Sequence, residues 1–127
     1  MVIAPKLKNA AEHATKTLMR DIKGIKAALI STEDGFEVAS RVENTAQVSR
    51  LSAMASSLAA LGALAGEESS LGSCGSLVME AAQGYIAIVQ IRRADVSLIM
   101  SVVTGRDAII GQVLYFSKQM ANTLEKI

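Results

Sequence analysis

The sequence predicts a single α/β domain of the α+β type: a five-stranded antiparallel sheet with helices on both faces, in the order α-β-β-α-β-β-β-α. Three observations carry this. Adjoining strand-like runs are joined by connections too short for a crossover, which makes neighbours antiparallel. Two runs are apolar at both parities, with Ala87 and Val89 on one side and Ile86 and Ile88 on the other, so the sheet is covered on both faces. Three other segments carry helical spacing.

Pro5 to Asp21 is the first helix. Pro5 suits the first turn, where a missing N–H costs nothing, and Leu7, Ala11, Ala14 and Leu18 recur at helical spacing. Gly24 ends it. Ile25–Ser31 and Phe36–Ser40 are strands joined through Asp34-Gly35, a hairpin turn signal. Residues 41–47 form a polar loop. Asn44 with Gln47 has capping-box spacing and starts a second helix that runs to about Gly66, with Glu67-Glu68-Ser69-Ser70 as its exit. Leu77–Ala82, Tyr85–Ile91 and Val96–Val103 are the remaining strands. Thr104 and Asp107 have the spacing of a cap for a last helix bearing Ile110, Val113, Leu114, Met120, Leu124 and Ile127.

At 127 residues the chain has room for one ordinary domain. Half of it is apolar and only 3% aromatic, with no Trp, so the core must be aliphatic. A net charge of +1 and so few aromatics give no case for nucleic acid, which needs a basic patch or stacking platforms. The single cysteine, Cys74, suits a reducing compartment and excludes a cysteine-rich metal site. The opening Met-Val-Ile-Ala-Pro-Lys-Leu-Lys contains no apolar run of signal-peptide length. The expected setting is cytoplasmic.

No charged residue occurs from Leu51 to Gly66. Val48, Leu51, Met54, Ala55, Leu58, Leu61 and Ala65 form one face of this helix, the face expected to cover the sheet. The opposite face carries Ala53, Ser56, Ser57, Ala60, Ala63 and Leu64, where a surface helix should be polar. Sixteen residues span only ~24 Å, short of the ~30 Å hydrocarbon core, which argues against membrane insertion. Burial within one chain is hard to arrange in so small a domain. An interface with a second copy or with another protein remains, and Gly62 and Gly66 would permit close helix approach.

The constellations that make enzymes are missing. His13 is the only histidine and lies among charged neighbours. Cys74, in Gly72-Ser-Cys-Gly75, has no base beyond it. Gly72–Ser76 lacks the lysine and following helix of a phosphate loop. Thr104–Asp107 is more simply a cap than an anion site, Glu33-Asp34 a turn, and Arg92-Arg93 a hairpin tip. No catalytic residue, metal site or cofactor is expected.

The ordered set of Gly24–Gly35, Val38–Ser40, Leu51–Leu58, Gly84–Val89 and Leu98–Met100 resembles the roadblock / dynein light chain family. The resemblance runs over about residues 22–125, leaving 1–23 as an N-terminal helix before a core at 24–127. It implies a long middle helix on one sheet face and terminal helices on the other. It also implies a homodimer formed by pairing the strand Leu77–Ala82 and packing the middle helices. Bacterial members of this family often accompany a Ras-like small GTPase that docks across the dimer near those helices. Carried onto this chain, the interface candidates are Arg50, Ala53, Ser57, Ala60 and Leu64 on the helix, and Leu77, Val78, Met79, Glu80 and Ala81 on the strand. Arg50 and Arg41 are the cations that could reach a nucleotide, although family members need not supply an arginine finger. The function implied is a non-enzymatic regulator or scaffold of a Ras-like GTPase; the alternative is a structural light-chain-like adaptor indifferent to nucleotide state.

Overall fold

The computed structural model describes residues 3–42 and 47–127. Its elements are α1 (Pro5–Asp21), β1 (Ile25–Thr32), β2 (Glu37–Arg41), α2 (Val48–Glu68), β3 (Ser76–Ala81), β4 (Gly84–Ile91), β5 (Leu98–Gly105) and α3 (Ile110–Glu125). The expected element order is the observed one. The five strands form one antiparallel sheet in the order β2-β1-β5-β4-β3.

The both-parity reading of the central strands accounts for the layers. Ala87, Val89 and Ile91 of β4 join Ala28 and Ile30 of β1 and Met100 and Val102 of β5 in the main core, which α1 and α3 cover. Leu7, Ala11, Ala14 and Leu18 are buried there, as their spacing predicts. Val113, Ser117, Ala121 and Leu124 bring α3 onto the same face. Ile88 and Ile99 point to the opposite face and pack with Ala55 and Ala59 of α2. The Asp34-Gly35 turn forms as expected, with Gly35 at φ +91°, a conformation that favours glycine.

Several boundaries differ from expectation: β1, β2, β3 and β4 shift by one residue at one or both ends, and larger differences occur at β5, α3 and α2. β5 begins at Leu98 rather than Val96, because the Asp95 carboxylate accepts from the Val96 N–H and keeps residues 95–97 in the turn. The strand continues to Gly105, whose N–H donates to the Gly24 carbonyl. Thr104 is therefore a ladder residue opposite Tyr85 and Ile25, not a cap. α3 starts after Ile109, with no side chain capping it. α2 runs two residues past Gly66, taking Glu67 and Glu68 into the helix. At its other end Gln47 is the cap residue and makes no side-chain cap bond; Asn44, the other half of the expected box, lies outside the described residues.

Candidate functional site

α2 crosses the sheet on small residues. Val48, Ser52, Ala55, Ala59 and Gly62 are its buried positions, a 4-3-4-3 spacing that traces one stripe. This corrects the expected sheet-facing set: Val48 and Ala55 are buried and Leu51 and Leu58 half-buried, but Met54, Leu61 and Ala65 are exposed. The floor already holds Ile88 and Ile99, so the helix approaches closely through Ser and Ala, and its large side chains flank the contact.

Three neighbours fix this rotation. The Ser56 hydroxyl donates to the Glu33 carbonyl in the β1–β2 turn. A Cβ on Gly62 would meet the Cys74 sulfur at 3.0 Å, and one on Gly66 would collide with the Gly72 carbonyl. The two glycines thus serve a close approach inside the chain, by the connection to β3, rather than the helix–helix contact expected of them. Cys74 is half-buried against this bend, its thiol 3.3 Å from the Ser76 carbonyl.

From Leu51 to Gly66, what α2 leaves outside is uncharged, and much of it is apolar. Met54, Leu61 and Leu64 are 53%, 61% and 53% exposed. Arg50, Ala53, Ser57 and Ala60 are exposed as well, or nearly so. Beside the helix lies β3, the sheet edge, which pairs only with β4 among the described residues. Of its candidates, Leu77 is half-buried toward α2, whereas Val78, Met79, Glu80 and Ala81 are exposed. Met79 shares a groove of about 430 Å³ with Leu51, Met54, Leu58 and Ile86. On the reverse face Glu80 pairs with Arg106 at 3.0 Å, and Arg106 lies over the Tyr85 ring at 5.6 Å. The fold therefore brings Leu77 and Met79 onto the same face as the α2 candidates, while Val78 and Glu80 point to the reverse face of the same edge strand. Met54 and Leu61 are members of this surface that the sequence misplaced, since a wheel ranked by bulk sends them to the core.

At 21 residues, α2 is long and apolar enough to cross a membrane. Its whole length, ~31 Å at 1.5 Å per residue, removes the argument from shortness. Its contacts are those of a sheet-covering helix, with Ser52, Ala55 and Ala59 set against β-strands that precede and follow it in the chain.

The remaining polar candidates serve the frame. The Arg92 guanidinium donates to the Cys74 carbonyl at 2.8 Å, and its N–H to Glu125 at 2.9 Å. Arg93 pairs with Asp95 at 2.9 Å and donates to the Leu124 carbonyl at 2.7 Å, fastening the end of α3. His13 is exposed on α1. Among the described residues no three His, Cys, Asp or Glu side chains gather as metal ligands would.

No family model matches the chain, and no curated protein does. Solved structures do. A roadblock/LC7 domain from Streptomyces avermitilis superposes with a TM-score of 0.82 at 17% identity, covering 91% of this chain and 94% of its own. The gliding protein MglB from Thermus thermophilus gives 0.84 at 15% identity, covering 99% and 93%. An MglB in a tetrameric arrangement gives 0.85 at 16% identity, with the same coverage. The fold is that of roadblock/LC7 domains.

Proposed function

We propose that this chain is a non-enzymatic, cytoplasmic regulator or scaffold that acts as a homodimer and binds a Ras-like small GTPase. The observation that carries the reading is the outer face of α2, uncharged from Leu51 to Gly66, with Met54, Leu61 and Leu64 exposed beside an edge of β3 that is unpaired among the described residues. An apolar helix face next to an open sheet edge is a surface two copies can cover at once: β3 pairs with its twin and removes the edge, while the two α2 helices pack together. Both MglB structures share the fold, and one of them has a tetrameric arrangement, which supports self-association here. The family resemblance supplies the GTPase, docked across the paired α2 helices with Arg50, Ala53, Ser57, Ala60 and Leu64 within reach. The same reading places α2 in a protein interface rather than in a membrane. The face offers Leu, Met, Ala and Ser side chains, none of them an acid–base pair or a metal ligand, so it suits recognition rather than chemistry.

Light scattering of the protein alone, and with a Ras-like GTPase from the same source, tests this. A dimer that takes up the GTPase loaded with a GTP analogue but not with GDP is the expected result. A dimer blind to nucleotide leaves a light-chain-like adaptor. A monomer overturns the interface.

A further inference from the structure

The two helical layers hold the sheet unequally. Among the described residues, nineteen buried apolar residues join in the cluster beneath α1 and α3, against four, Ala55, Ala59, Ile88 and Ile99, in the cluster beneath α2. The smaller contact also contains hydroxyls. Ser52 belongs to the buried stripe of α2. Ser31 stands opposite Ile99 in the ladder and Ser101 opposite Ile88, so both strand hydroxyls share the face that α2 covers. All three serines are 0% exposed, and none of their hydroxyls has a hydrogen-bond partner among the described residues. Thr104 and Ser117 carry buried hydroxyls without a partner as well, but they lie on the other face, where the large cluster surrounds them.

A hydroxyl that leaves water without gaining a bond weakens the docked state. A contact that is small, made through Ala and Ser, and short of three such bonds is where a domain opens first. We propose that α2 is a separately opening layer: it leaves the sheet as a unit while the sheet, α1 and α3 stay folded, and the Ser31, Ser52 and Ser101 hydroxyls set how often it does so. Opening uncovers Ile88 and Ile99 and breaks the bond from the Ser56 hydroxyl to the Glu33 carbonyl. The opening concerns the inner face of α2 and holds whatever covers the outer one. Its consequence for recognition rests on the reading of α2 as a partner surface: a partner selects the docked helix, so substitutions beneath the helix change affinity without touching the partner.

Native-state hydrogen exchange followed by mass spectrometry tests it, in the native chain and in Ala60→Glu, which removes a twin that covers α2. Amides from Ser52 to Gly62 should share one opening, roughly ten-fold or more easier than that of β5, and it should be insensitive to low urea, which accelerates β5. Val113→Ala, in the larger cluster, should speed exchange in β5 and leave α2 unchanged. Ser31→Ala/Ser101→Ala should slow the α2 amides roughly ten-fold; both changes lie on strands, so the intrinsic helicity of α2 is untouched. Equal opening of α2 and β5 in both chains would overturn the proposal, as would α2 amides that speed up with Val113→Ala. Protection that falls steadily from the middle of α2 to its ends is fraying, and also overturns it. So does an α2 opening indifferent to the loss of both strand hydroxyls. A native chain that is monomeric and whose α2 opens would defeat only the dimer; a dimer whose α2 opens no more easily than β5, with or without Ala60→Glu, would defeat only the opening layer.

Discussion

The Ser56 hydroxyl of α2 donates to the Glu33 carbonyl in the turn between β1 and β2. This ties the helix to a hairpin 23 residues away in sequence, on the flank opposite the groove that reaches Met79. One side of α2 is thereby held and the other left open. Helix rotation decides which side chains reach a partner, so the bond links a local contact to the surface on which function depends.

Ser56→Ala should cost about 1 kcal/mol, the usual net worth of such a bond when its acceptor stays near water. At this size that lowers the melting temperature by roughly 3–5 °C. Urea and thermal melts would read it. A variant as stable as the native chain would show that packing alone sets the rotation of α2.

Gly66→Ala should be more costly, because its Cβ collides with the rigid carbonyl of Gly72. A loss of about 1–3 kcal/mol is expected, as for overpacking elsewhere. Gly111→Ala is the control. It lies in the first turn of α3 with open space around it, and should be neutral or stabilising by up to about 1 kcal/mol. Urea midpoints that fail to separate the two would mean that the α2–β3 bend yields easily.

Much of this architecture is legible in the residues, and particular ones show where legibility stops. Ile86 to Val89 alternate between two apolar faces, which requires two helical layers whatever the details. Leu7, Ala11, Ala14 and Leu18 leave one choice of buried stripe on α1. On α2 nearly every residue is apolar or small, so periodicity hardly distinguishes one face from another, and bulk is a misleading guide. Ser52 and Ala59 belong inside because the Ile88–Ile99 floor leaves room only for small side chains, a fact of tertiary structure. Thr104 and Asp107 mimic a cap at the level of spacing, but ladder pairing with Tyr85 takes Thr104 first.

Stability in acid should depend on Asp95. Its hydrogen bond from Arg93, foremost, holds the carboxyl below its ordinary value of 3.8, against a desolvation that acts the other way. A depressed folded-state pKa gives a contribution that is complete above the unfolded value and lost as pH falls through the folded one. Asp95→Asn should therefore be less stable than the native chain at pH 6, with the difference closing as pH drops below about 4. Urea midpoints from pH 6 to pH 2 would follow it. A difference that stays constant with pH would assign the effect to turn geometry rather than to charge.

Ala60→Glu tests the surface itself. Ala60 is exposed on α2, so a glutamate there meets solvent in the isolated domain and should change its stability by no more than about 0.5 kcal/mol. Between two paired helices the same carboxylate would be buried, with no cation from Leu51 to Gly66 to pair it. A buried, unpaired charge costs several kcal/mol, enough to move a micromolar dimer to monomer at ordinary working concentrations. Light scattering should then give half the native mass, while circular dichroism and the melt stay close to native. Should the variant remain dimeric, a pull-down with the GTPase separates the two uses of this face: loss of capture would place Ala60 under the partner, and normal capture by an intact dimer would remove it from both interfaces.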